Sequence, residues 1–285
     1  MTDLSAGLHR LRLDLAYDGT DFSGWAKQPG LRTVEGEIEE ALAVILQVAP
    51  GDVRLTVGGR TDAGVHSRGQ VAHIDVSAAQ LAQWNKSNAM ARRLNRVLSR
   101  SAPDVAIHSV REVPAAFDAR FGALRRRYEY RVRPAQSKLD PLTARFTADF
   151  TRELDLAVMQ QASDDLLGLQ DFTTFCKARE GATAVRELLT FDWRETSDGA
   201  FAARIEADAF CHSMVRALVG SVVAVGSQRI SGEQLRDLRD ARERTSKFTV
   251  MPAKGLSLEE IAYPADEDLA ARAEQTRARR DLLED

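Results

Sequence analysis

Residues 124–133, LRRRYEYRVR, place Tyr128, Tyr130 and Val132 on one face of an extended chain and Arg127, Glu129 and Arg131 on the other. A period of two marks a strand with one buried face, so the spacing predicts a strand over 124–133. This strand decides the fold because it opens a second run of elements in the order of a first. In that first run Leu11, Leu13 and Leu15 alternate with Arg10, Arg12 and Asp14. A helix follows, with Thr33 as N-cap, Glu35 and Glu37 near the positive end of the helix dipole, and Ile38, Ala41, Leu42, Ile45 and Leu46 as its apolar stripe. Next come a short strand near 53–57, a glycine-rich loop, a strand at 70–76, a helix near 86–99 and a strand near 104–112.

Beyond 133 the pattern predicts a helix at about 152–167 and strands near 185–195, with Leu189, Phe191 and Trp193 alternating, and 201–207. A helix at 209–226, a second at 232–244 opening on a Ser231/Gln234 capping box, and a strand near 256–262 complete the series. The orders βαββαβ and βαββααβ predict an α/β (α+β) protein of two ferredoxin-like halves with side-by-side antiparallel sheets and a central active-site cleft. The expected division is residues 1–113, residues 114–265, and a charged tail over 266–285.

The 285 residues carry 39 Lys and Arg against 42 Asp and Glu, a net charge of −3 that argues against nucleic acid until the charges are placed. From Leu258 onward there are nine acids and four bases, which leaves the preceding body mildly basic. Within that body RFGALRRRYEYRVR (120–133) holds six arginines and one acid, with aromatic residues interleaved, as suits a phosphate backbone. The two cysteines, Cys176 and Cys211, form no CxxC pair and no zinc-spaced set, so neither a disulfide framework nor a structural metal is expected. No signal-like segment and no apolar run of about 20 residues is present, so a cytoplasmic protein without membrane contact is expected.

The chemistry gathers in VGGRTDAGVHSRGQVAHIDV (57–76), where Asp62 sits among Gly58, Gly59, Gly64 and Gly69, with Arg60, Arg68 and His66 close by. Glycines let the backbone turn tightly and present one side chain. Flanking arginines would hold that carboxylate ionised beside an anion-binding surface. An aspartate in such a turn can also simply bond its own backbone. Arg216, on an otherwise apolar helix, needs an anion if it faces inward; Asp62 is the natural candidate, and capping of the helix edge is the alternative.

GRTDAGVHSRGQVAHID closely resembles the signature of the TruA family of tRNA pseudouridine synthases. The resemblance continues through YDGTDFSGW (17–25), TVEGEIEEAL (33–42), FDARFGALRRRYEYRV (117–132), LGLQDFTTFCK (167–177), DAFCHSMVRALVG (208–220) and MPAKGLSL (251–258). It implies two ferredoxin-like halves meeting at a cleft, a homodimer, no cofactor, and uridine isomerisation at positions 38–40 in the anticodon arm of tRNA. It also implies that Asp62 is the catalytic carboxylate, that Tyr128 stacks on the extruded base and moves a proton late, that Arg60 helps extrude the target, and that Arg216 pairs with the carboxylate. His66 and His212 are expected to touch RNA or satisfy local hydrogen bonds, and Arg125 and Arg126 to face phosphates.

Departures from the family pattern, Ala26, Gln170, Asp208, Cys211, Ser213 and Ala217, bear on RNA contacts, Asp208 by adding a negative charge. Two other readings stand beside this one. A non-catalytic tRNA-binding or folding protein would not need the set Asp62, Tyr128 and Arg216. A phosphoryl-transfer enzyme would need a P-loop or paired carboxylates, which are missing.

Overall fold

The computed structural model describes residues 7–85, 89–177 and 183–272. The chain divides into two units, residues 1–124 with 260–285, and residues 125–259. In the first, β1 (Leu8–Tyr17) buries Leu11, Leu13 and Leu15 and turns Arg10, Arg12 and Asp14 to the opposite face, as its alternation predicts. It leads to α1 (Val34–Leu46), whose N-cap Thr33 accepts from the N–H of Gly36. Then come β2 (Thr56–Val57), β3 (His66–Ser77), α2 (Ala78–Trp84), α3 (Met90–Ser101) and β4 (Val105–Val113). β3 and β4 flank β1, and β2 pairs β3, every pairing antiparallel. The order β4-β1-β3-β2 is that of the split βαβ plan. The inward side chains of β1 and β3 share a core with Ile38 and Leu42 of α1 and with Leu94 and Leu98 of α3, each of which is fully buried. Burial of side chains of this size contributes about 1.5–3 kcal/mol apiece.

The second unit opens with β5 (Arg125–Arg133), followed by β6 (Ala148–Asp149), α4 (Leu156–Asp164), β7 (Gly168–Asp171), β8 (Val185–Glu195), β9 (Phe201–Ala207), α5 (Met214–Gly226), α6 (Gly232–Ala241) and the start of β10 (Leu256–Ala262), whose last three residues are counted with the first unit. The order β10-β5-β9-β8 repeats that of the first unit. Tyr128, Tyr130 and Val132 are the buried face of β5, and twelve of the thirteen residues of α5 are buried.

Several elements depart from the sequence reading for local reasons. The join lies at Leu124 and not at 113/114, because 114–124 is bound to the first sheet: Arg10 donates to the carbonyls of Ala115 and Phe117, and Ala119 N–H donates to His73. The helix expected at 86–99 is preceded by α2, started by a Ser77/Gln80 capping box. α5 begins at Met214 and not at 209, since Ser213 is left-handed at φ 63° and cannot continue a helix. α4 begins only after Asp155, whose carboxylate accepts from Ala157 and Val158. On β8 a bulge between Leu188 and Thr190 exchanges the faces, so Leu188 is buried and Leu189 exposed. β3 starts at His66, which shortens the glycine loop to 58–65. The tail expected over 266–285 lies outside the described residues beyond Arg272.

Candidate active site

Asp62 lies half-buried between β2 and β3 on a backbone gripped by the segment 17–25. Trp25 N–H donates to the Thr61 carbonyl at 3.0 Å, Gly64 N–H donates to Phe22, and the Val65 N–H closes a turn onto the Asp62 carbonyl. Trp25 itself is fully buried. Gly64 has φ +77°, a left-handed conformation suited to glycine. Gly19 passes so near that an added Cβ would stand 2.0 Å from the Val65 carbonyl oxygen.

The residue before the aspartate is fixed from its side chain. Thr61 is buried with its hydroxyl 2.7 Å from that of Tyr17, and Gln70 Nε2 donates both to the Tyr17 hydroxyl and to the Gly59 carbonyl. Sequence reasoning missed this trio, because no local spacing links residues 17, 61 and 70. His66 is buried at the start of β3, where its Nδ1 accepts from Gly19 N–H and lies 3.1 Å from Asp18 Oδ1. The same Asp18 oxygen accepts from the backbone and hydroxyl of Thr20. Arg60 is exposed, and its guanidinium makes no hydrogen bond or ion pair among the described residues.

In the second unit Tyr128 is buried and meets Phe210 edge to face, with ring centroids 5.2 Å apart. Tyr130 is wholly buried and donates to the Pro252 carbonyl. Burial pushes its phenol well above the ordinary range, opposed in part by the charge of Arg216. Arg216, half-buried in the first turn of α5, donates to Ser213 Oγ at 3.1 Å and to the Met251 carbonyl at 3.4 Å, while its own carbonyl accepts from Met251 N–H. His212 precedes α5 and is exposed, and its carbonyl accepts from Lys177 N–H.

The basic run is more engaged than its composition suggests. Arg125 Nε lies 2.6 Å from a carboxylate oxygen of buried Glu206, which Arg204 also approaches. Arg126 donates to the Asp208 carbonyl. Asp208, the added negative charge of the helix motif, has a structural duty, its carboxylate accepting from Glu187 and Ala209 N–H groups. Phe172 and Phe175 are core, the latter stacked on Phe248.

Cys176 and Cys211 are free thiols brought side by side by the Lys177 to His212 main-chain bond. The hydrogen bond with Cys176, helped by the charge of Arg186, lowers Cys211 to about 7, whereas Cys176 is raised by that bond and by burial.

The sequence profile of a family described as tRNA pseudouridine synthase matches residues 162–264. A protein of Leifsonia xyli called tRNA pseudouridine synthase A is 51% identical over 99% of this chain and all of its own. Its namesake in Cutibacterium acnes is 51% identical over 95% of each chain. Among solved structures, a chain of a Cbf5-Nop10-Gar1 complex is similar at 11% identity and a TM-score of 0.37, covering 90% of this chain and 60% of that one, a likeness too distant to bear on function. The chain belongs to the tRNA pseudouridine synthase A family.

Proposed function

We propose that this tRNA uridine isomerase acts at positions 38–40 of the anticodon arm, with Asp62 as its essential carboxylate. The reaction breaks the C1′–N1 bond, turns the uracil while it remains bound, and joins C5 to C1′, after which the C5 hydrogen leaves as a proton. One carboxylate can serve by attacking C1′, by attacking C6, or by taking a sugar proton to form a glycal. The observation that carries the reading is the grip on residues 58–65: a loop clamped by main-chain bonds from 17–25 and by the Tyr17–Thr61 hydroxyl pair holds its half-buried aspartate in one place. Preorganisation of this kind is what a single catalytic group needs.

In this reading Tyr128 stacks on the extruded uracil, Arg216 supplies the charge opposite Asp62, and Arg60, with no intramolecular partner among the described residues, enters the RNA to displace the target. Arg125, Arg126, His66 and His212 contribute at the RNA surface or in its support. The residues carrying these roles come from both halves of the chain, and the enzyme works in the cytoplasm as a homodimer without a cofactor. Among the described residues no helix is long and apolar enough to cross a membrane.

The decisive experiment is tritium release from C5-labelled uridine in unmodified tRNA, followed by base-resolved mapping of the product. Asp62→Asn keeps the size of the side chain and loses its nucleophilicity. It is expected to abolish release while tRNA affinity stays within a few-fold of the parent. Turnover near the parent rate removes Asp62 from the chemistry, and product outside 38–40 removes the assigned position.

A further inference from the structure

Helix α3 carries Arg92, Arg93, Arg96 and Arg100 and no acid. Arg93 is used internally, donating to the carbonyls of Gln83 and Trp84 at the C-terminal end of α2. The other three are exposed, and their guanidinium groups make no ion pair or hydrogen bond among the described residues. At spacings of four residues they form one row opposite buried Leu94 and Leu98, about 6 Å from each to the next and about 12 Å in all. The row works against its own helix. Like charges at i and i+4 repel, Arg92 stands in the first turn where the dipole disfavours a cation, and the N-cap Ala89 offers no side-chain acceptor. Among the described residues no carboxylate pairs with the row to offset that arrangement.

The row also has a direction. Just past the C-terminus of α3, Asp104 is held by Arg32, which donates to the Ser101 carbonyl as well and lies over the ring of Phe22. Asp18 N–H donates to the Asp104 carbonyl. Phe22 and Trp25 belong to the segment that clamps the Asp62 loop. Arg100 therefore starts at the end of the unit that carries Asp62, and Arg96 and Arg92 lead away from it. The arginine run singled out from composition is different in kind, since Arg125, Arg131 and Arg133 have carboxylate partners in Glu206, Asp198 and Asp149.

We propose that Arg92, Arg96 and Arg100 bind the phosphate backbone of the substrate RNA along a stretch of the tRNA beyond the target base. A straight row of cations at helical spacing matches a line of phosphates and reads shape without sequence. This rests on the tRNA reading above and adds a contact surface to it.

The test is fluorescence anisotropy of labelled, unmodified tRNA against sodium chloride concentration, for the parent protein and for R92A/R96A/R100A and R92K/R96K/R100K. Losing three phosphate contacts should flatten the slope of log affinity against log salt by about 2–3, at about 0.7–0.9 per phosphate, and weaken binding at low salt by at least about tenfold. The lysine variant should restore most of the slope, since it keeps the charge. Far-UV circular dichroism monitors the fold, and because all three side chains face solvent, helicity is expected to persist. An alanine variant with the parent slope overturns the surface, and so does a lysine variant as weak as the alanine one. The failures are distinguishable. A parent that isomerises tRNA while the alanine variant keeps its slope sinks the surface alone, whereas a parent that binds without isomerising, with a flattened alanine slope, sustains the surface and sinks the reaction.

Discussion

The hydroxyls of Tyr17 and Thr61, both buried in the first unit, lie 2.7 Å apart, Thr61 standing one residue before Asp62. The bond joins the end of β1 to the Asp62 loop, so it sets where the aspartate backbone stands. Thr61→Val removes the hydroxyl and keeps the shape, leaving Tyr17 with the Gln70 donor. The loss should cost about 1–3 kcal/mol of stability. Single-turnover isomerisation should fall about ten- to a hundredfold with tRNA affinity nearly unchanged. Tyr17→Phe should act in the same direction, and the double variant should be less impaired than the sum of the two. Additive losses would show that the hydroxyl pair does not act as a unit.

How much of this was legible in the sequence follows from how local each cause is. β1, the Thr33 cap, the Ser231/Gln234 box and the strands 185–195, 201–207 and 256–262 rest on neighbouring residues, and the structure places them as read. The bulge on β8, the left-handed Ser213 and the attachment of 114–124 to the first sheet depend on partners far along the chain. The site divides in the same way. The glycine loop around Asp62 is visible in a single stretch, whereas Tyr17 with Thr61, Arg125 with Glu206, and Cys176 with Cys211 are pairs that only folding brings together.

Arg125 illustrates why a basic run overstates its contribution to RNA binding. Its charge is opposed by a buried carboxylate shared with Arg204. Arg125→Ala should therefore change the salt slope of tRNA binding by less than the full value of one phosphate, about 0.7–0.9. Glu206→Gln should strengthen binding and steepen the slope, because it unmasks both arginines while retaining an acceptor. Weaker binding by Glu206→Gln would mean that the carboxylate positions Arg125 for the RNA.

The two thiols differ in exposure as well as in chemistry, Cys211 being half-buried and Cys176 buried. With Cys211 lowered to about 7, its thiolate is abundant at neutral pH and should be alkylated first by iodoacetamide. The rate should rise with pH through a midpoint near 7, as read by mass spectrometry of the modified peptide. Cys176→Ala removes the hydrogen bond that comes first among the causes, so the midpoint should climb toward that of an ordinary thiol. A midpoint unmoved by that substitution would assign the effect to Arg186.

His73 predicts the acid limit of the fold. It is buried on β3, its Nδ1 accepts from Ala119 N–H at 3.1 Å, and its ring meets Phe117 edge on. Burial, reinforced by the charge of Arg10, lowers it from 6.5 to about 4, and Asp118 and Asp75 oppose the shift. Its folded value is thus below its unfolded value, so between about 4 and 6.5 the unfolded chain binds the extra proton. The stabilisation is complete above 6.5 and is lost as pH falls toward 4. A gap of this size amounts to about 3 kcal/mol at most. His73→Asn retains an acceptor for Ala119 and cannot take up the proton. In urea unfolding from pH 4 to 8, the stability of the parent should therefore drop more steeply on acidification than that of the variant, and the difference between them isolates His73 from the carboxylates that titrate nearby. Parallel curves would show that the imidazole is protonated in the folded state with a partner strong enough to offset its burial.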